Sequence, residues 1–542
     1  MVGIVVEGLS TDYIDLLKNH FGTGGFRRLL EQGVTISDVD FGTPLDGAAA
    51  TAVIFTGASP SVNGIGSAGI YDPETRRVRS VLLDPETIGN FTEETLSPRN
   101  LTASTIADEL RIDAGGLGYA YAIAPEAAEA IIMAGHAGNS AFWLNDNTGK
   151  WATTTFYKDL PTSPQNANHR TPNEYRLDTL QWVPSIQVDR FPDLPSYKKL
   201  YPFRHTFPRT QANRFKAYKN SPAVNTDVTA MAADYIKVLT LGKRESTDML
   251  SVAYTLQPFM YGRDPDNRTE LMDSYLRLDR DLERLFASID SDGPGMDRTL
   301  VFVTGTPLTR RQRRDDEKWA LPYGEFSSRK AVSLLNMYLM AIYGNGDWVT
   351  AYHDGQLFLN HKLIKERNKN LTELRSESAR FLTRMSGVGD AWTIDDILDR
   401  RASENPEAMR RNTHIATSGD VIVNILPGWQ EIDDDEDTDS PQTTQRAASA
   451  MAPAFILSPG LQAGTIVTPV DARAIAPTVT GLLRIRSPNG AAVAPLRMKN
   501  CLGASAQGCP ATADKHSQPA HTGSHSADNH NIFYVNKEPY NT

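Results

Sequence analysis

Several segments of this chain carry the residue types that hold metals, move protons or cradle phosphates. Residues 64–69 read GIGSAG, which satisfies the G-x-G-x-x-G spacing of a dinucleotide-binding loop. That loop works by bringing a pyrophosphate against a helix N-terminus, so it must lie between a strand and a helix. Here it follows TGASPSVN and leads into IYDPETRRV, and it reads as a turn. His353 precedes Asp354-Gly355 in YHDGQLFLNH, where alternating apolar residues flank a hairpin turn, so a structural histidine is expected there. His136 lies in the Gly/Ala-rich IMAGHAGNSAFW and reads as a packing position. The acidic run EIDDDEDTDSPQTTQ lacks the glycine and terminal glutamate of a calcium loop and reads as a solvated loop. P-loop, H-E-x-x-H, G-x-S-x-G and C-x-x-C patterns do not occur.

The elements that would position such residues alternate strand and helix from the start. VGIVVEG is a strand. STDYIDLLKNHF follows as a helix capped by Ser10 or Thr11, then the short helix GGFRRLLEQG and the strand VTISDVDF. GYAYAIAP, DMLSVAYTL, TLVFVTG, DVIVNILPGW and APAFILSPG are further strands, and AFWLNDNTGKWATTTFY is a hairpin about Asn147-Thr148-Gly149. LMDSYLRLDRDLERLFASID carries a clear apolar stripe at helical spacing, and SRKAVSLLNMYLMAIYG is another helix. This alternation implies an α/β fold, a central mixed and mostly parallel sheet with helices on both faces. A single domain is expected over residues 1–500. Residues 150–225 form an irregular lid-like insertion and 345–430 an inserted subdomain. Residues 501–542 make a polar, His-rich tail, carrying four of the chain's 11 histidines.

Among 542 residues, 40% are hydrophobic and 22% charged, a globular composition. The formal charge of −10 argues against a general nucleic-acid binder. No apolar run approaches the roughly 20 residues needed to span a bilayer. The two cysteines, Cys501 and Cys509, are read either as a local disulfide in an oxidising compartment or as two thiols.

Taken together, VGIVVEGLSTDYI, GTGGFRRLLEQGV, TAVIFTGASPSVNGI, LSPRNLTASTIADELR, AGHAGNSAFWLNDNTGKW, DSYLRLDRDLERLF, SGDVIVNILPGW and DARAIAPTVTGLLRIRSPNGAA resemble the alkaline phosphatase superfamily. The resemblance is to the PafA-type monomeric periplasmic alkaline phosphatases, relatives of the nucleotide pyrophosphatase/phosphodiesterases, and runs from Val2 to about Leu496. It implies two zinc ions at the carboxyl ends of the central strands, held by aspartates and histidines, with a Thr or Ser nucleophile between them. The cations would neutralise an anionic ester and activate the hydroxyl.

Carried over by position, most of that machinery is replaced. The metal-ligand positions fall on Glu7, Thr255, Phe259, Thr306, Pro307 and Met451, of which Glu7 alone is a carboxylate. The nucleophile falls on Gly47, and the phosphoryl clamp on Ala68, Glu126 and Ala128. TLVFVTGTPLTR shows the pattern in one stretch: the strand persists, and Thr306-Pro307 stands where Asp-His would end it. No catalytic residue, substrate clamp, metal ligand or cofactor is therefore expected. The favoured expectation is a phosphatase-like pseudo-enzyme acting as a binding or scaffold component in a bacterial cell-envelope assembly. It would be periplasmic or at the cell surface, with envelope or outer-membrane proteins as partners. One alternative is a divergent phosphomonoesterase or phosphodiesterase with a rebuilt site, Glu7, Asp46 and Asp38 or Asp40 holding one hard cation and Thr43, Thr51 or a water attacking. Another is a ligand or glycan receptor whose cleft is apolar and neutral, lined by Phe259, Pro307 and Met451. A basic, aromatic stretch in the insertion, YKKLYPFRHTFPRTQANRFKAYKN, is a candidate docking patch or ordinary lid structure.

Overall fold

A computed structural model describes residues 1–200, 202–262, 266–307, 324–399, 407–426, 428–432, 443–445, 450–498 and 532–533. Cys501, Cys509, the histidine tail and most of the acidic run lie outside the described residues.

Five strands form the parallel heart of the central sheet. They are β1 (Val2–Glu7), β3 (Ala120–Ala124), β4 (Ser140–Leu144), β6 (Met249–Thr255) and β7 (Val301–Gly305), with β2 (Val34–Asp40), β5 (Trp151–Thr154), β8 (Met451–Leu457) and β9 (Gly464–Ile466) flanking them. The order is β9-β2-β8-β7-β1-β6-β3-β4-β5. From β7 through β1, β6 and β3 to β4 every pairing is parallel. β8 runs antiparallel to both β7 and β2, and β5 antiparallel to β4. The expected mixed, mostly parallel sheet is the one found. β1 and β6 are apolar through nearly their whole length because helices cover both faces of the sheet, leaving no solvent side for alternation.

One face is covered by α1 (Gly47–Thr56) and α2 (Ala127–Ala134). Every residue of α1 is buried, and its Ala-rich sequence lets it lie close against the sheet. The other face is covered by α4 (Pro222–Val238) and α5 (Arg268–Ser291), with the short α3 (Arg214–Lys219) leading into α4. The stripe read from the sequence of α5 is its buried side: Leu271, Tyr275, Leu278, Leu282, Leu285, Phe286 and Ile289. Burying each such Leu or Phe contributes about 1.5–3 kcal/mol.

A third apolar cluster, from Phe326 to Val423, gathers about a small antiparallel sheet of Val349–His353, Gln356–Leu359, Val388–Thr393 and Val421–Ile425. Asp354 and Gly355 join its first hairpin with φ of 47° and 71°, the left-handed pair a two-residue turn of this kind requires.

Candidate functional site: a carboxylate-lined cleft

Parallel strands that end in register bring their last residues to one edge. Glu7 pairs with Thr255 across β1 and β6, and Val6 pairs with Gly305 across β1 and β7. The Thr306 amide then donates to the Val6 carbonyl at 3.1 Å. Pro125 and Glu126 leave the end of β3 beside them, and α1 starts at Gly47 over the same edge. Together these residues line a cleft of about 620 Å³. Ligands of open α/β sheets sit at such carboxyl ends.

The cleft brings together Glu7, Gly47, Ala68, Glu126, Thr255 and Thr306. Four other positions singled out from the sequence do not line it. Phe259 is buried among Trp182, His205 and Tyr261. Pro307 is buried. Met451 opens β8 opposite Asp40. Ala128 packs against the core from α2. The expectation of an apolar, neutral pocket lined by Phe259, Pro307 and Met451 is thus overturned: aromatic packing and the antiparallel pairing of β8 keep these side chains elsewhere. Asp38 and Asp40 are not among the lining residues either, while Thr43 lines a neighbouring cavity and takes a hydrogen bond from Asn412 at 2.7 Å.

What lines the cleft instead is charge, most of it negative. Among the described residues, Glu7, Asp46, Glu126, Glu129, Asp146, Asp354 and Glu431 face two lysines, Lys216 and Lys219, and His353. The decisive residue was missed from the sequence. Glu129 points from the otherwise apolar α2 into the space beside Gly47, where an added Cβ would lie 2.6 Å from its Oε1 and 3.2 Å from Glu7 Oε1. A glycine at 47 is what lets that carboxyl enter. Burial, then the charges of Glu7 and Glu126, push the Glu129 carboxyl well above its ordinary value. A lone Glu in AAEAIIMA, three residues after Glu126, was the available signal. Its meaning depends on where α2 lies against α1, which no sequence periodicity supplies.

Asp46 has a structural task. As the N-cap of α1 it accepts from the Ala49 amide at 2.8 Å with one oxygen, and with the other from Ser67 Oγ at 3.0 Å and the Ala68 amide at 2.6 Å. Burial still raises its pKa against those three donors.

At the rim, Lys219 of α3 donates to Glu126 Oε2 at 2.9 Å and to Asp146. Burial alone would depress this ammonium, but the two carboxylates outweigh it and hold it above its ordinary value. Part of the basic stretch of the insertion is paired in the same way, since Arg209 and Arg214 both pair with Asp178.

The donor set does not fit a pair of zinc ions. Zinc sites use carboxylates, imidazoles or thiolates. The strand ends offer the one carboxylate of Glu7, with neutral hydroxyls at Thr255 and Thr306. Among the described residues no group of three or more His, Cys, Asp or Glu side chains is placed to hold a metal ion.

Residues 1–450 match the family described as type I phosphodiesterase / nucleotide pyrophosphatase. The chain belongs to that family. It is 26% identical over 528 residues to alkaline phosphatase PhoV of Synechococcus elongatus, covering 90% of each chain. It is also 26% identical over 522 residues to alkaline phosphatase PafA of Elizabethkingia meningoseptica, covering 92% of this chain and 93% of the other. The crystal structure of wild-type PafA superposes with a TM-score of 0.79 over 92% of this chain and 98% of that one, at 24% identity. The fold is therefore PafA-like, as the sequence resemblance implied. No helix among the described residues is long and apolar enough to cross a membrane.

Proposed function

We propose that this chain is a non-hydrolytic member of its family that works by binding, in the periplasm or at the cell surface, with envelope proteins as partners. One observation carries the reading. The space in which a side chain at position 47 would begin is taken by the Glu129 carboxyl, beside Glu7. A nucleophile there would displace a buried acid, and a phosphate dianion would meet carboxylates where its clamp should be. Thr255 and Thr306 at the strand ends agree with this, as does Glu126 in place of a clamping cation.

The rebuilt-hydrolase alternative has less behind it. Glu7, Asp46 and Thr51 do line the cleft, but both oxygens of Asp46 are engaged by Ala49, Ser67 and Ala68.

The test is zinc content and hydrolysis of p-nitrophenyl phosphate and bis-p-nitrophenyl phosphate. The chain would carry its four tail histidines, His516, His521, His525 and His530, as Asn so that they bind no metal. The expected result is no stoichiometric zinc and no turnover above the buffer rate. Two zinc ions per chain with turnover of either ester would overturn the proposal.

A further inference from the structure

We propose that the cleft binds an organic ammonium group, the amine of a small ligand, on the floor formed by Glu129, Gln257, Thr51 and Thr306. This rests on the non-hydrolytic reading above and names the ligand chemistry of the same cleft.

Four buried oxygens from four different elements line this one cleft without a hydrogen-bond partner: Thr51 Oγ1, Glu129 Oε2, Gln257 Oε1 and Thr306 Oγ1. Thr51 and Thr306 are 0% exposed, Glu129 8% and Gln257 9%. Leaving such groups unmet costs folding free energy, so native interiors pair nearly all of them. Glu129 and Gln257 present acceptor oxygens, and hydroxyls accept as well as donate, so the group that satisfies them together is a donor. An ammonium brings three N–H donors and a positive charge to a wall of carboxylates.

The same cleft already accommodates one ammonium. Lys219 sits between Glu126 and Asp146 at the rim, buried and paired on both sides. The floor offers comparable chemistry. Other occupants fit less well. An anion finds acceptors where it needs donors. A hard cation such as calcium takes six to eight oxygen ligands, and the described acids do not converge in the required group.

The ionisable groups facing Glu129 are Glu7 from β1, Asp46 at the start of α1 and Glu126 just before α2. All are acidic, and burial first and then these charges keep the proton on the Glu129 carboxyl above the ordinary range. An alkylammonium, with a pKa near about 10, arrives charged and displaces that proton. Binding therefore releases protons and strengthens as pH rises above the ordinary glutamate value of 4.5.

The experiment is calorimetric titration of the full-length chain with methylamine, 1,4-diaminobutane and spermidine. Neutral 1,4-butanediol, inorganic phosphate and calcium chloride serve as comparisons. Titrations in two buffers of different ionisation enthalpy count the protons released. At least one amine should bind at one site with proton release, and the diol should not bind. Glu129→Gln should weaken that amine roughly tenfold or more, while Asp84→Asn, outside the cleft, leaves it unchanged. Failure of all three amines, equal binding of the diol, tighter binding of phosphate or calcium, or full affinity in Glu129→Gln would each overturn the inference. Ester turnover is read separately. Turnover defeats the non-hydrolytic reading, whereas absent turnover with no amine binding defeats this inference alone.

Discussion

Two carboxylate groups lie in the same cleft and have opposite fates. At the rim, Glu126 and Asp146 have recruited Lys219 from α3, whose ammonium offsets one of the two negative charges. On the floor, Glu129 stands beside Glu7, the acids Glu7 and Glu126 press on it, and its Oε2 has no hydrogen-bond partner among the described residues. Both groups line one cleft, yet only the rim has been given a cation from within the chain. The difference teaches where selection for folding ends. The rim is solved as a folding problem, and the floor is left in a state that costs stability. A fold keeps a costly arrangement when something outside it makes use of the cost.

The strongest way to break this contrast is to fill the floor. Gly47→Thr places a Cβ 2.6 Å from Glu129 Oε1 and 3.2 Å from Glu7 Oε1, inside van der Waals contact on both sides. Overpacking of this kind costs about 1–3 kcal/mol, and the lower half of that range is expected because the atoms met are the free ends of two glutamate side chains. Adding Glu129→Ala should return at least about 1 kcal/mol of that loss. A double-mutant cycle by urea unfolding measures the coupling. Additive effects would mean that Glu129 moves aside freely and does not hold the place of a nucleophile. Neither variant is expected to hydrolyse phosphate esters.

Breaking the rim comes next, with an effect of similar size. Lys219→Met leaves Glu126 and Asp146 facing each other with their ammonium gone. Severing a fully buried pair costs about 3–5 kcal/mol, but these two side chains are 50% and 41% exposed, so water takes over part of the task. About 1–2 kcal/mol is expected, smaller in high salt at Glu126 and Asp146. A loss above 3 kcal/mol would mean that the rim is closed to solvent, and a loss near zero that Lys219 contributes packing alone.

How much of this could be read beforehand differs between scaffold and site. The parallel strands were legible because each is a short apolar run ending in a turn, and the α5 stripe because its period is helical. That TLVFVTG runs into Thr306 and Pro307 is read directly off the chain, since it needs only their positions. The charged lining of the cleft was not legible in this way. Glu129 becomes intelligible once α2 is docked against α1, and Lys219 once α3 is folded back over β3. The first belongs to a helix not singled out from the sequence, the second to the basic stretch read as a docking patch or ordinary lid structure. The seven acids of the cleft come from segments spread from residue 7 to 431, so no window of sequence contains the field they make.

The smallest effect tests the floor from the opposite direction. Glu129→Gln keeps the shape, removes the charge and offers Glu7 an amide N–H, so it should stabilise the protein by about 1 kcal/mol at neutral pH. The sign follows from where the proton is held. The folded protein keeps a proton on Glu129 above the ordinary glutamate value of 4.5, while the unfolded chain releases it there. Glu129 therefore costs nothing below that pH, and its penalty grows as pH rises toward the folded value, beyond which it levels off. The gap in Tm between the variant and the parent should accordingly be close to zero near pH 4 and widen toward pH 8. Other raised carboxyls, such as Asp281 at about 6 by burial, titrate in both proteins and cancel in the difference. A gap that stays flat with pH would mean that the Glu129 carboxyl titrates in the folded protein as it does in the unfolded chain, with no net penalty. Against burial and the charges of Glu7 and Glu126, that outcome requires a cation already seated beside it, and mass spectrometry of the purified protein under native conditions would then weigh it.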